Sequence, residues 1–150
     1  MDSVTVTRTF EGDLREMVDR CRSLDSRACW PGSVLMAGKG DTLYYQVSMR
    51  LKAATMTDID LEEKLSDVEQ TAGGARFTTT QRCSWPDGVA EGSTEYVFTT
   101  GTPSSVTFTY RYEPPSTKLV KSKQLPAFHE GMEKVATRYL DRLTQAPVNA

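Results

Sequence analysis

The sequence predicts an α+β protein in which a curved antiparallel sheet of about seven strands wraps around one long carboxy-terminal helix. The helix is predicted from Leu125 to Leu143, where apolar residues recur at steps of three, four and one along one helical face. These residues are Phe128, Met132, Val135, Ala136, Tyr139, Leu140 and Leu143. Most of the preceding chain alternates apolar and polar residues, as strands with one buried face do. An apolar helix face of this length needs a broad apolar surface to pack on, and the buried face of such a sheet supplies it.

Composition indicates one soluble domain over residues 1–150, since a hydrophobic content of 38% is ordinary for a globular protein. A net charge of −2 leaves no broad basic surface, so nucleic acid is not an expected partner. Residues 1–11 do not resemble a signal peptide, and no apolar run approaches the ~18 residues of a membrane span. Three cysteines at uninformative spacings favour reduced thiols, and therefore a cytoplasmic location.

Two short helices are predicted between the first strand and the second. Asp13 followed by Glu16 resembles a capping box that opens the first of them. The apolar stripe of this helix is Leu14, Met17, Val18 and Cys21. The second short helix runs through Leu24 and Ala28 and ends by Trp30-Pro31-Gly32, because a residue before proline avoids the α region.

Seven segments have the composition and alternation of strands. They are Val4–Phe10, Ser33–Ala37, Leu43–Leu51, Ala54–Thr71, Ala75–Trp85, Thr94–Thr100 and Ser105–Tyr112. Turns are predicted at Gly38-Lys39-Gly40-Asp41, Pro86-Asp87-Gly88 and Gly101-Thr102-Pro103. No helix follows Gly38 and Gly40, so a hairpin turn is a better interpretation of these glycines than a nucleotide-binding loop.

The segment Ala54–Thr71 fits two patterns. Leu61, Leu65 and Val68 have helical spacing, and the Glu and Lys content also favours a helix. Against this, alternate residues from Thr57 to Leu65 have the pattern of a strand, and the Gly73-Gly74 turn leads into another clear strand. We therefore predict a strand that forms a hairpin with the segment after it.

This order of elements resembles the helix-grip fold of the START-like (SRPBCC) superfamily, which includes polyketide cyclases, Bet v 1-type plant allergens and lipid-transfer domains. The most specific pieces are Phe10-Glu11-Gly12-Asp13 leading to Met17-Val18, then Trp30-Pro31-Gly32, and the hairpin from Tyr96 to Pro114. The sequence lacks the usual apolar-Pro pair before the first helix and has Val18 where many relatives carry Trp, so the subfamily stays open. The resemblance implies a cavity between sheet and helix that binds a hydrophobic small molecule such as a lipid, sterol or polyketide.

The alternation places a set of apolar residues where they would face such a cavity. They are Tyr45, Val47, Met49, Ile59, Leu61, Phe77, Phe108, Tyr110 and Tyr112 on the sheet, with Phe128 and Met132 on the helix. Taken one at a time, each is explained more simply by core packing. Four polar residues share the predicted inner faces, namely Arg8, Glu63, Thr79 and Gln81. Arg8 and Glu63 would pair and orient a ligand, unless the predicted strand phase is wrong by one residue.

The sequence gives little support to metal or cofactor chemistry. His129 is the only histidine, and a solvated or capping role at the helix start explains it best. The leading hypothesis is therefore a binding or transport protein with no cofactor. The second is an aromatase/cyclase-type enzyme in which Arg8, Glu63 or a tyrosine such as Tyr45 or Tyr110 assists proton transfer. The third is a protein-interaction module whose cavity is filled.

Overall fold

The computed structural model describes residues 2–52, 55–86, 88–114 and 120–145, without the side chains of residues 50–52 and 55. These ranges contain β1 (Asp2–Phe10), α1 (Leu14–Arg22), β2 (Ser33–Lys39), β3 (Thr42–Lys52), β4 (Thr55–Leu65), β5 (Glu69–Thr71), β6 (Gly74–Trp85), β7 (Gly88–Thr99), β8 (Ser104–Tyr112) and α2 (Leu125–Gln145). Short 3₁₀ helices lie at Asp25–Cys29 and Ser122–Gln124. The predicted positions Ala54 and Asp87, and the Leu51 side chain, lie outside the described residues.

The strands form one antiparallel sheet in the order β1-β8-β7-β6-β4-β3-β2, with the short β5 paired to β6. The predicted α+β class, with a long carboxy-terminal helix held by a curved antiparallel sheet, is confirmed. The ambiguous segment is extended, as predicted, but it forms two strands instead of one: β4 lies between β3 and β6, and the short β5 pairs with β6. The strand predicted to begin at Thr94 is longer, since β7 already begins at Gly88.

The first helix begins as predicted. The Asp13 carboxylate accepts hydrogen bonds from the backbone N–H groups of Arg15 at 2.7 Å and Glu16 at 3.4 Å, which satisfies donors that a helix start leaves free. The helix buries Met17 and Cys21 against the core. The second predicted helix is the 3₁₀ helix at Asp25–Cys29.

The long helix α2 packs against β1 and the 3₁₀ helix at Asp25–Cys29. Five residues of its predicted stripe are buried, namely Met132, Ala136, Tyr139, Leu140 and Leu143, whereas Phe128 and Val135 are half-buried. The two half-buried residues lie nearer the amino end of the helix, where the packing opens into a pocket. Among the described residues, no helix combines the length and apolar character that crossing a membrane requires.

Candidate ligand-binding site

A pocket lies between the inner face of the sheet and the amino-terminal half of α2. It contains about 670 Å³ of free space, which includes the part of its mouth that is open to solvent. Its lining residues are Trp30, Tyr45, Val47, Met49, Ile59, Leu61, Gln81, Cys83, Trp85, Ala90, Glu91, Tyr110, Tyr112, Glu113, Phe128, Met132 and Val135. A concave, mostly apolar pocket with a few polar groups has the features of a small-molecule site.

Trp30 connects the pocket wall to the core. Its ring stacks on Tyr139 of α2, with centroids 4.4 Å apart and planes 8° apart. It also meets Phe108 and Tyr110 edge to face, each at 6.1 Å. The backbone N–H of Trp30 donates to Arg27 O at 3.2 Å, which ties the residue to the end of the 3₁₀ helix. These aromatic contacts hold the Trp30 ring between α2 and the sheet.

Nine of the residues proposed from the sequence line this pocket. They are Tyr45, Val47, Met49, Leu61, Gln81, Tyr110, Tyr112, Phe128 and Met132, and Ile59, expected on the inner face, joins them. The other proposed residues lie elsewhere. Phe77 and Phe108 are buried in the core, while Glu63 and Thr79 lie in a buried polar cluster behind the pocket wall. The sequence interpretation did not single out Trp30 or Trp85 for the site, although both tryptophans of the chain line the pocket.

The expected pair of Arg8 with Glu63 does not form. Arg8 Nε instead donates to the Asp141 carboxylate of α2 at 2.5 Å, with both side chains more than one-third exposed. The reason is topological, because β8, β7 and β6 lie between β1 and β4. The two strands are therefore four strand spacings of ~4.8 Å apart in the sheet, too far for a side-chain ion pair. Arg8 is not among the residues that line the pocket.

Glu63 pairs instead with Arg27, a residue that the sequence interpretation missed. The carboxylate accepts hydrogen bonds from Arg27 Nε at 2.6 Å and the Tyr45 hydroxyl at 2.9 Å on one oxygen. Its other oxygen accepts from Thr79 Oγ1 at 2.6 Å and Gln81 Nε2 at 2.9 Å. Arg27 and Glu63 are exposed by only 0% and 1%. Two of these donors, Tyr45 and Gln81, also line the pocket, so the carboxylate supports the pocket wall from behind.

Arg27 connects this cluster to the helices α1 and α2 and to the 3₁₀ helix at Asp25–Cys29. Its Nη1 group donates to Cys21 O at 2.7 Å, Ser26 Oγ at 2.6 Å and the Tyr139 hydroxyl at 3.2 Å. The Tyr139 hydroxyl is in turn 2.8 Å from the hydroxyl of Tyr96 on β7. Within the described residues, Arg27 Nη2 has no hydrogen-bond partner. The polar cluster therefore joins α1, the 3₁₀ helix, α2 and the sheet through one guanidinium.

The cluster holds its ion pair in the charged state. Burial alone would raise the pKa of the Glu63 carboxyl, but the charge of Arg27 and hydrogen bonds from Arg27, Thr79 and Tyr45 outweigh it and lower the pKa. Burial acts to lower the pKa of Arg27, but the negative charge of Glu63 raises it above its ordinary value. Burial and the Glu63 charge raise the pKa of the Tyr45 hydroxyl, which stays a neutral donor. The Glu63 oxygens are occupied by four donors, which does not favour Glu63 as a proton acceptor for a ligand.

His129 forms a second polar contact at the pocket. Its Nδ1 atom is 2.7 Å from the hydroxyl of Tyr112, a lining residue, and its Nε2 atom is 3.0 Å from the Glu133 carboxylate. If Nε2 carries the proton, it donates to Glu133, and Nδ1 accepts from the tyrosine. This bridge fixes the ring of Tyr112 against the first turns of α2.

No family model and no curated protein matches the chain. Several solved structures are similar to it. Protein TTHA0849 from Thermus thermophilus has a TM-score of 0.68 and 16% identity, with coverage of 96% of this chain and 95% of that one. A conserved protein from Geobacillus kaustophilus has a TM-score of 0.69 and 12% identity, with coverage of 95% and 91%. The Zhui aromatase/cyclase from a Streptomyces species has a TM-score of 0.66 and 11% identity, also with coverage of 95% and 91%.

These likenesses, at identities of 16% and below, concern the fold alone. The protein has the helix-grip fold. In this helix-grip structure the pocket occupies the space between the sheet and the gripped helix.

The helix-grip pocket contains one thiol and, among the described residues, no group of metal ligands. Burial raises the pKa of the Cys83 thiol to about 12, so it is protonated and a weak nucleophile at neutral pH. Across the described ranges, no three His, Cys, Asp or Glu side chains are grouped so that they could hold a metal ion. The pocket offers apolar contacts and hydrogen-bonding groups such as Gln81 and Tyr110.

Proposed function

We propose that this protein binds or transports a hydrophobic small molecule in the pocket between its sheet and α2. The observation that carries this proposal is a concave pocket between the sheet and α2 that is lined mainly by aromatic and aliphatic side chains. We also propose that the chain is a START-like protein, which the helix-grip fold supports. The three free thiols support a cytoplasmic location.

The test uses the two tryptophans that line the pocket. A neutral fluorescent probe, N-phenyl-1-naphthylamine, accepts energy from tryptophan, so its binding quenches the emission of Trp30 and Trp85. We expect saturable one-to-one binding to the wild-type protein. Native mass spectrometry of protein purified from its own host then identifies the compound that occupies the pocket.

A pair of substitutions on β7 tests whether the pocket is the binding site. Ala90→Phe adds a ring to a residue that lines the pocket and should weaken probe binding at least tenfold. Val89→Phe adds a ring to the neighbouring residue, whose side chain is 53% exposed, and should leave binding unchanged. Binding that is absent in the wild type, or equal in both variants, would contradict the proposal.

Aromatase/cyclase activity is the second candidate. It is supported by the polar positions of Tyr45 and Gln81 in an otherwise apolar lining, both hydrogen-bonded to Glu63. Its test is the rate at which a linear poly-β-ketone cyclises with wild-type protein and with Ala90→Phe. Equal rates with the two proteins would count against catalysis in the pocket. The open pocket favours both candidates over an interaction module with a filled cavity.

A further inference from the structure

The pocket wall contains a buried hydrogen-bond acceptor that nothing in the described structure uses. Gln81 is 5% exposed and lines the pocket. Its Nε2 group donates to Glu63 at 2.9 Å and to Thr79 at 3.0 Å, but no described residue donates to its Oε1 atom. Buried polar atoms of native proteins are almost always satisfied by protein, water or ligand. The Oε1 atom is therefore open to a donor that the described residues do not supply, such as a water or a ligand.

The orientation of this amide is fixed by its neighbour. The Glu63 carboxylate is ionised, because Arg27 lowers its pKa, and an ionised carboxylate only accepts hydrogen bonds. Rotating the Gln81 amide by half a turn would place Oε1 against that carboxylate and remove the bond from Nε2. The amide nitrogen is therefore held toward Glu63, and the wall of the pocket offers an acceptor rather than a donor.

A glycine keeps the space beside the acceptor free. Gly92 of β7 is paired with Gln81 and lies on the inner face of the sheet. A Cβ atom at Gly92 would lie 3.2 Å from Gln81 Oε1 and 3.2 Å from the Tyr110 ring. Tyr110 also lines the pocket, and its hydroxyl makes no hydrogen bond within the described part of the chain. Burial raises the pKa of that hydroxyl, so it is a neutral group available for hydrogen bonding.

The charges of the pocket argue against an anionic ligand. Among the described residues that line it, none is a lysine, arginine or histidine. The charged residues that line it are Glu91 and Glu113, both exposed. A fatty acid or a phosphate ester would meet no counter-ion among the described lining residues and would be repelled by both carboxylates.

From these contacts we infer that the ligand is a neutral, mainly aromatic compound carrying a hydroxyl group, which donates a hydrogen bond to Gln81 Oε1. This assignment rests on the proposed function, since it requires that the pocket binds a small molecule. It narrows the class of expected ligands from hydrophobic compounds in general to neutral phenols and alcohols. Alkyl ethers and ketones of the same shape, which only accept hydrogen bonds, leave the Gln81 oxygen unsatisfied.

Isothermal titration calorimetry with three matched probes tests the assignment. The probes are 2-naphthol, which has a donor; 2-methoxynaphthalene, which has none and is more hydrophobic; and 2-naphthoate, which is anionic. With wild-type protein we expect 2-naphthol to bind about tenfold more tightly than its methyl ether, as one satisfied hydrogen bond allows. We expect 2-naphthoate to bind most weakly of the three.

A matched pair of variants locates the effect. Gln81→Met removes the amide and should bring 2-naphthol and its ether to within about twofold of each other, as expected when one hydrogen bond is lost. Gln46→Met makes the same change on β3, where the amide donates to Asp60 on the exposed face, and should keep the tenfold preference. Tyr110→Phe removes the other hydroxyl beside the Gln81 oxygen and loses no hydrogen bond within the described structure. A retained preference for 2-naphthol assigns the bond of the ligand to Gln81, and a lost preference assigns it to Tyr110 and refutes the inference.

The outcomes separate this inference from the proposed function. If wild-type protein binds 2-naphthol and its ether equally, or prefers the ether, the Gln81 oxygen is satisfied by water and the inference is wrong, while binding in the pocket stands. If none of the probes binds, the proposed function fails and the inference fails with it. If Gln81→Met does not fold, the preference of wild-type protein and of Tyr110→Phe still decides the question.

Discussion

Replacing Arg27 by methionine should strongly destabilise the protein, because it leaves the Glu63 carboxylate buried without its counter-ion. The two side chains are 0% and 1% exposed, and Arg27 Nε lies 2.6 Å from Glu63 Oε1. Removing one partner of a buried ion pair costs about 3–5 kcal/mol. A domain typically unfolds with a free energy of about 5–15 kcal/mol, so Arg27→Met removes a large fraction of the stability.

The stability that Arg27→Met loses should be greatest at neutral pH and smaller in acid. In the wild type the pKa of Glu63 lies below its unfolded value, which is about 4.3. Its contribution to stability is therefore present above that pH and is lost as the pH falls through the folded pKa. Without Arg27, burial acts against the ionised carboxyl and the pKa of Glu63 rises, so that the folded variant binds a proton more readily. The difference between wild type and Arg27→Met is thus greatest at neutral pH and shrinks as the pH falls toward about 4.

Urea unfolding of four proteins measures this effect: wild type, Arg27→Met, Glu63→Gln and the double variant, each at pH 7.5 and 4.5. Because the two residues contact each other, we expect the double variant to lose less stability than the sum of the single losses. The coupling should be at least about 1.5 kcal/mol at pH 7.5, in keeping with contacts of this kind. An Arg27→Met loss below about 1 kcal/mol, or additive single losses, would refute the importance we give to this ion pair.

Two further predictions concern the first helix and the thiols. Asp13→Ala removes the acceptor for two backbone N–H groups and should lower the free energy of unfolding in urea by about 1 kcal/mol. The control is Asp19→Ala, on the exposed face of the same helix, which should change the free energy of unfolding by less than about 0.5 kcal/mol. Burial raises the pKa of Cys21 and Cys83 to about 12, whereas Cys29 is half-buried, so at pH 8 a thiol reagent should label Cys29 first. Peptide mapping by mass spectrometry reads the order, and early labelling of Cys83 would contradict the buried environment described above.

Periodicity was sufficient to predict most of the fold. The alternation in β3 and the helical stripe of α2 are long, and each identifies one buried face without help from the rest of the chain. The segment that contains β4 was ambiguous because its helix propensity and its alternation favoured different structures. In the fold it pairs with strands on both sides, and this pairing overrides the helix propensity. The first residues of β7 were missed, because Glu91 and Gly92 interrupt the apolar pattern that marks a strand.

The face on which each strand residue lies was predictable from the sequence, but the pairings between polar side chains were not. Tyr45, Leu61 and Gln81 were placed correctly because strand alternation fixes the face on which each residue lies. The partner of Glu63 was predicted wrongly, because alternation says nothing about which strands are neighbours. Arg27 carries no signal in the sequence, since it lies in a short 3₁₀ helix and its carboxylate partner is 36 residues away.

The buried ion pair links the stability of the fold to the selectivity of the pocket. Glu63 accepts a hydrogen bond from Gln81 Nε2 and so keeps the amide nitrogen turned toward the carboxylate. Arg27 keeps Glu63 ionised. In Glu63→Gln the new amide both donates and accepts, so either orientation of Gln81 finds a partner. The wall then offers an acceptor or a donor, and the preference for 2-naphthol over its ether should fall even where the variant is fully folded. An unchanged preference in Glu63→Gln would mean that another contact, not the carboxylate, fixes the Gln81 amide.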